Sequence, residues 1–278
     1  MEKVKKVAII NDLSGIGRCS LTAAIPILSA LGVQACPFPT AILSNQTEFD
    51  SFTFLDLTNE MVNYKNGLYK LGIEFDCIYS GFLGSENQID IVLDFAKENQ
   101  KSLIVVDPVM GDNGIIYDTF NDKMCLKMKE LISIADIVTP NLTEACILTK
   151  KEYKKYDTSD EEVEYMAREI AKMGPEKVII TGIIRKNKIY NFAYDRKIDK
   201  FLKVSTEYNN KSYSGTGDIF TSIIIGFLLN NHNLNFAIEN ASNYICNVIE
   251  YTSKFDTNPK EGIMFERFLK ELILLNEY

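Results

Sequence analysis

Histidine is almost absent from this 278-residue chain: His232 stands alone, in the polar stretch Asn230-Asn231-His232-Asn233. A single imidazole excludes multi-histidine metal sites and leaves no Ser-His-Asp triad unless His232 serves it. Its turn-forming neighbours read as a solvated loop. The cysteines, Cys19, Cys36, Cys77, Cys125, Cys146 and Cys246, contain no C-x-x-C pair. Such wide spacing suits reduced thiols of a cytoplasmic protein better than a zinc knuckle or a disulfide framework. No apolar run approaches the roughly 18 residues of a membrane span, and the charged start Met1-Glu2-Lys3-Val4-Lys5-Lys6 leads into a run too short for a signal sequence. Positive charge is in deficit, with 30 basic against 38 acidic residues and a net charge of −8. That balance argues against non-specific binding to nucleic acid or to an anionic membrane. Any nucleotide must be gripped locally, by backbone and metal.

The nucleotide-handling motifs with the simplest signatures are missing too. There is no G-x-x-x-x-G-K-[ST], and no H-R-D or D-F-G set, so P-loop and protein-kinase mechanisms are excluded in their usual forms. The run Asn11-Asp12-Leu13-Ser14-Gly15-Ile16-Gly17-Arg18-Cys19-Ser20 is only a partial dinucleotide fingerprint. A third glycine is lacking near Ser20, and the next strand ends in Pro37-Phe38-Pro39-Thr40 without an acid.

What is there is ordinary globular material, 46% hydrophobic and 24% charged, enough for a sizeable core in one domain spanning 1–278. Short apolar runs alternate with segments of helical period, which predicts an α/β fold with a mostly parallel sheet and helices on its faces. Strands are expected at Val7–Ile10, Val33–Pro37, Cys77–Tyr79, Leu103–Val106, Ile137–Val138 and Val178–Ile180. Helices are expected near Leu21–Leu31, Asn59–Leu71, Glu86–Glu98, Asp122–Leu131 and Glu161–Met173. A hairpin of Lys188–Tyr194 with Lys200–Val204 follows, and helices fill the chain from Ile219 on. The charged run from Lys150 to Glu164 reads as a loop entering a solvated helix face.

Ligands of open α/β sheets bind beyond the carboxyl ends of the strands, so strand-end motifs are where chemistry is sought. Ser214-Gly215-Thr216-Gly217-Asp218 runs into the apolar segment Ile223-Ile224-Ile225. Helix starts carry unpaired N–H groups and partial positive charge, hence attract anions. A carboxylate there would repel such an anion, so Asp218 is either a helix cap or a working base. Val106-Asp107-Pro108-Val109-Met110-Gly111-Asp112 sets two carboxylates about a turn, oxygen donors suited to Mg²⁺. In Thr139-Pro140-Asn141-Leu142-Thr143-Glu144, Pro140 starts a helix whose Asn141 and Glu144 share a face, able either to hold a metal's water shell or to cap. Ser44-Asn45-Gln46-Thr47-Glu48 and Ser80-Gly81-Phe82-Leu83-Gly84-Ser85 offer hydroxyls and amides beside apolar walls, or else are plain turns. Asp12 is a candidate partner for a small polar substrate. Together these groups supply what phosphoryl transfer demands: a metal site, anion donors and a base.

Taken in order, Leu43-Ser44-Asn45-Gln46-Thr47, Ser80-Gly81-Phe82-Leu83-Gly84-Ser85, Asp107-Pro108-Val109-Met110-Gly111, Asn141-x-x-Glu144 and Gly215-Thr216-Gly217-Asp218 resemble the pyridoxal kinases of the ribokinase superfamily, over about residues 7 to 250. The resemblance implies a ribokinase-like three-layer fold and ATP-dependent phosphorylation of the 5′-hydroxymethyl group of a vitamin B6 vitamer. It implies Asp218 as base and the N–H groups of Gly215, Thr216 and Gly217 as donors to the transferring phosphoryl group. Ser44, Thr47, Phe82 and Asp12 would line the substrate side. Asp107, Asp112, Thr139, Asn141, Glu144, Thr181 and Ser214 would lie on the nucleotide side, with Asp112 and Glu144 toward Mg²⁺. The family often uses a monovalent cation such as K⁺ and forms homodimers. Two positions depart from it. Many pyridoxal kinases carry serine where Asp12 aligns, and an aromatic residue, often tyrosine, where Phe82 stands. Asn11-Asp12 with Ser-Gly-x-Gly is partly similar to hydroxymethylpyrimidine kinases, which supply the alternative activity. A non-catalytic nucleotide- or vitamin-binding protein of the same fold is the alternative outside enzymes.

Overall fold

The computed structural model describes residues 3–118 and 120–276; Met1 and Glu2 of the charged start lie outside them. Its frame is a nine-stranded sheet in the order β11-β10-β9-β8-β5-β4-β1-β2-β3. The strands are β1 (Lys6–Ile16), β2 (Gln34–Asn45), β3 (Phe54–Asp56), β4 (Cys77–Ser80), β5 (Leu103–Val106), β8 (Ile137–Val138), β9 (Lys177–Arg185), β10 (Lys188–Asp195) and β11 (Lys200–Glu207). Pairing is parallel from β2 across to β9 and antiparallel at both edges, β2 with β3 and β9 with β10 and β11. A separate two-residue ladder joins β6 (Gly111–Asp112) to β7 (Ile115–Ile116).

Side-chain alternation along the central strands divides the core in two. In β1, Ala8 and Ile10 face one side while Val7 and Ile9 face the other. The first side is covered by α2 (Thr58–Lys70), α3 (Glu86–Glu98), α4 (Asp122–Ser133), α5 (Leu142–Thr149) and α6 (Asp160–Ala171). The second is covered by α1 (Ser20–Ala30), α7 (Thr216–Leu229), α8 (Leu234–Thr252) and α9 (Leu269–Asn276). This is the expected three-layer α/β architecture. Local chemistry sets the helix starts: Ser85, Asn121 and Asn233 each accept a hydrogen bond from the N–H three residues on. Ser159 and Glu162 form a capping box at the end of the charged loop before α6.

The main departure from expectation lies at β1 and β2, which run six and eight residues past their predicted ends, to Ile16 and Asn45. Asn11 to Ile16 and Ser44-Asn45 are therefore strand, not turns after strands. The ladder continues because its register shifts between Asn11 and Leu13 rather than stopping. Such an irregularity lets polar residues enter a strand. This extension, closed by β3, carries the exposed apolar side chains Leu13, Ile16, Ile42, Phe54 and Leu55. His232 lies between α7 and α8 as expected, but it is half-buried and stacks on Phe236 at 4.4 Å. All six cysteines are unpaired. Among the described residues no helix is long and apolar enough to cross a membrane.

Candidate active site

Asn11 of β1, Tyr79 of β4, Asp107 after β5 and Thr139 after β8 converge on the first two turns of α7. Gly215 precedes that turn with φ 77° and ψ 2°, a left-handed conformation in which glycine is the least strained residue. A Cβ there would collide with the Arg18 carbonyl and lie 2.8 Å from the Cys19 Cα, so the turn packs directly on the end of β1's extension. Among the described residues no side chain caps α7. Its opening N–H groups are left for an outside acceptor.

Asp218 does not serve as that cap. Its Oδ1 accepts from Asn11 Nδ2 at 3.0 Å, across 207 residues of sequence. Burial pushes its carboxyl up to about 6, opposed by the Ser20 backbone N–H and raised further by the charge of Asp12; the Asn11 amide also opposes the shift. A carboxylate so placed ionises just below neutral pH, where a general base is effective. Beside it, the fully buried Tyr79 hydroxyl has no hydrogen-bond partner among the described residues. Burial, then the charges of Asp218 and Asp107, hold that phenol well above its usual range.

Asp107 follows β5 directly and is nearly buried. Its Oδ2 lies 3.7 Å from the point a Gly217 Cβ would occupy, so it faces the opening of α7. Burial, then the charges of Glu144 and Asp218, drive its carboxyl well up. Asn141 and Glu144 form a capping box: Asn141 Oδ1 accepts from the Glu144 N–H at 3.0 Å, and Glu144 Oε2 from the Asn141 N–H at 2.8 Å. Glu144 Oε1 accepts from the Met110 N–H at 3.0 Å, and Asn141 Nδ2 donates to the Gly111 carbonyl at 2.8 Å. The pair thus clamps the turn after β5 to α5, and of the two alternatives left by the sequence, capping is the one seen. Asp112 is exposed and accepts from Asn113 Nδ2 at 2.8 Å. Among the described residues no three His, Cys, Asp or Glu side chains are grouped so as to hold a metal ion. Thr139 accepts from Thr221 Oγ1 of α7 at 3.0 Å, and Thr181 bridges to Asn141 beside it.

On the opposite wall, Asp12 is buried with both oxygens engaged, Oδ2 by Ser14 at 2.7 Å and Oδ1 by Ser20 at 2.5 Å. It braces the start of α1 against β1. Phe82 is half-buried, its carbonyl held by Thr40 Oγ1 at 3.0 Å and its N–H by Asn11 Oδ1 at 2.9 Å. Thr47 is exposed in the turn after β2. Ser44 is exposed, donating to Asn45 Oδ1 and accepting from the Thr53 N–H. Ser214 Oγ donates to Glu48 Oε2 at 2.7 Å, and Gln46 Nε2 donates to the Lys260 carbonyl at 2.9 Å. This latch draws the Thr47 loop over the opening of α7. Asn11, Gln46 and Glu48 lay in motifs noted from sequence but had no site role assigned there, and Tyr79 was read only as strand. The signal for Asn11 was present: an amide ending the apolar run Val7–Ile10.

A family model described as phosphomethylpyrimidine kinase matches residues 18–263, which takes in every group above except Asn11, Asp12 and Ser14. The chain belongs to that family. Within it, a Dictyostelium discoideum pyridoxal kinase is 28% identical over 248 residues, covering 82% of this chain and 80% of its own. An Aquifex aeolicus hydroxymethylpyrimidine/phosphomethylpyrimidine kinase is 29% identical over 175 residues, covering 63% and 67%. A Bacteroides thetaiotaomicron protein, provisionally named a phosphomethylpyrimidine kinase and crystallised with pyridoxal, superposes with a TM-score of 0.93. It is 45% identical, covering 97% of this chain and 96% of that one. This chain is thus a kinase of the ribokinase superfamily, as its motif order implies.

Proposed function

We propose that this kinase transfers the γ-phosphoryl group of ATP to the 5′-hydroxymethyl group of a B6 vitamer. The observation that carries it is Asp218: a carboxylate at an uncapped helix start, not used as a cap, with its ionisation lifted toward neutral. Asp218 takes the proton of the attacking hydroxyl, while the N–H groups of Gly215, Thr216 and Gly217 receive the charge on the phosphoryl oxygens. Phe82 supplies a ring face to the vitamer, and Thr47 closes from the latched loop. Thr139, Thr181 and Ser214 border the nucleotide.

The donors on this face fit a hard cation. Mg²⁺ keeps several waters and takes one or two carboxylates; Asp112 is open to solvent, and among the described residues no donor is set against the Asp107 carboxylate. When bound, Mg²⁺ neutralises phosphate charge. Glu144, with both oxygens on backbone N–H groups, reaches such an ion only through water, and its direct part is to hold the turn from Pro108 to Gly111. A K⁺ requirement and a cytoplasmic location belong to the same proposal. So does a homodimer, supported by the apolar side chains exposed on the β1–β3 extension.

Hydroxymethylpyrimidine phosphorylation is the second activity in view, favoured by the description of the family model and by the Aquifex relative. The pyridoxal in the 45%-identical structure favours the vitamer. Assaying the purified protein on pyridoxal, pyridoxamine, pyridoxine and hydroxymethylpyrimidine in parallel separates them. Preference for a vitamer is expected; strong preference for the pyrimidine reverses the assignment. Failure to phosphorylate any of the four leaves a binding protein.

A further inference from the structure

Asn11 is fully buried at the point where β1 shifts register. Its amide carries four hydrogen-bonding positions, and three are used, on α7, on β1 itself and on the chain beyond β4. Nδ2 donates to Asp218 Oδ1 of α7 at 3.0 Å; Oδ1 accepts from its neighbour Asp12 N–H at 3.0 Å and from the Phe82 N–H, beyond β4, at 2.9 Å. Gly81 packs on the amide so closely that a Cβ there would lie 2.6 Å from the Asn11 Cγ. The side chain therefore has no space in which to turn. A buried amide satisfied this fully costs several hydrogen bonds to remove, and its planar geometry transmits the position of one partner to the other.

We propose that Asn11 is a positioning residue that locks the Asp218 carboxylate in its proton-accepting orientation and sets the Phe82 wall from the same amide. It rests on Asp218 being the base. A carboxylate on the first turn of a helix otherwise turns freely about χ1 and χ2, and misplacing a reacting group by about 1 Å can cost 10²-fold in rate. The charged and titratable groups around Asp218 are Asp12, Cys19, Tyr79 and Asp107. None of these is a cation; the neutral Tyr79 hydroxyl also favours the charged carboxylate, and Asn11 Nδ2 is the side-chain donor at hydrogen-bond distance, 3.0 Å.

The test is a double-mutant cycle on turnover at saturating substrates. Asn11→Ala should lower kcat on the order of 10- to 100-fold and raise the vitamer KM through Phe82, with the ATP KM unchanged. In an Asp218→Ala background the same substitution should lower turnover no further, because the group it positions is gone. Equal fold-losses in both backgrounds, or an unchanged kcat in folded Asn11→Ala, overturn the proposal. If Asp218→Ala itself retains full turnover, Asp218 is not the base and that failure stands apart. Should Asn11→Ala not fold, Asn11→Ser carries the same comparison. Independently, the Asn11 side-chain amide resonance of the wild-type protein should shift on Asp218→Asn; an unmoved resonance contradicts the contact.

Discussion

Asp107 faces Gly217: the aspartate's Oδ2 stands 3.7 Å from where a Gly217 Cβ would be. That is ordinary contact, so an alanine fits at 217 without disturbing the fold, yet its methyl group occupies the space before the helix N–H groups. Gly217→Ala should lower kcat by roughly 10²-fold, the scale of losing one anion-hole donor, with a melting temperature close to wild type. Gly215→Ala differs, since its Cβ meets Arg18 at a left-handed φ of 77°. It should lower the melting temperature by several degrees, following a loss of a few kcal/mol. Thermal melts and kcat of the two variants separate chemistry from folding.

A raised base has a kinetic signature. With Asp218 pushed up to about 6, chiefly by burial, the proton-accepting form is lost below that value. The kcat/KM against pH profile, which reports the free enzyme, should therefore fall on its acid side with a midpoint near 6, rather than near 4 as for an ordinary aspartate. A flat profile down to pH 5 would contradict the assignment.

The acids of the cleft also set the stability of the free protein. Asp107, Glu144, Asp12 and Asp218 all have their carboxyls raised, with burial the leading cause. The folded protein thus binds more protons than the unfolded chain above the ordinary carboxylate range. The stabilisation is complete below that range and is lost as pH rises through about 6 for Asp218 and on through the raised values of the others. Without ligands, the melting temperature should fall between pH 5 and pH 8, and added Mg²⁺ with nucleotide should reduce the fall.

The latch between Ser214 and Glu48 places a carboxylate beside the anion turn. Glu48→Gln keeps an acceptor for Ser214 but removes the charge, so the ATP KM should fall a few-fold, an effect that shrinks in high salt. Glu48→Ala also frees the loop carrying Thr47, and the vitamer KM should rise. Parallel changes of both constants in both variants would show that the latch has no separate roles.

Much of this was legible in the chain. Alternating apolar runs disclosed the parallel sheet, because strands buried on both faces read as short runs of Val and Ile. Gly215 and Gly217 marked the start of α7, and the scarcity of histidine left the cleft acids as candidates for base. What sequence could not disclose were contacts made only by folding. Asn11 meets Asp218 207 residues away, and Glu48 meets Ser214 across 166. The place of Asn11 at the end of an apolar run marked it, but nothing local names the partner of either residue. Ser44 shows the same limit: its motif did not disclose that β2 runs past it or that its hydroxyl accepts from the Thr53 N–H. Asn141 and Glu144 carried metal-suited chemistry at a spacing that is also that of a capping box.

Replacement of Asp218 by asparagine puts the central claim to the most direct test. The change preserves shape and leaves the N–H groups of the α7 turn in place, so ATP affinity measured by calorimetry should be nearly unchanged. Turnover on the preferred acceptor should drop by roughly 10²-fold or more, the scale of losing a general base. Wild-type turnover in Asp218→Asn would contradict the account.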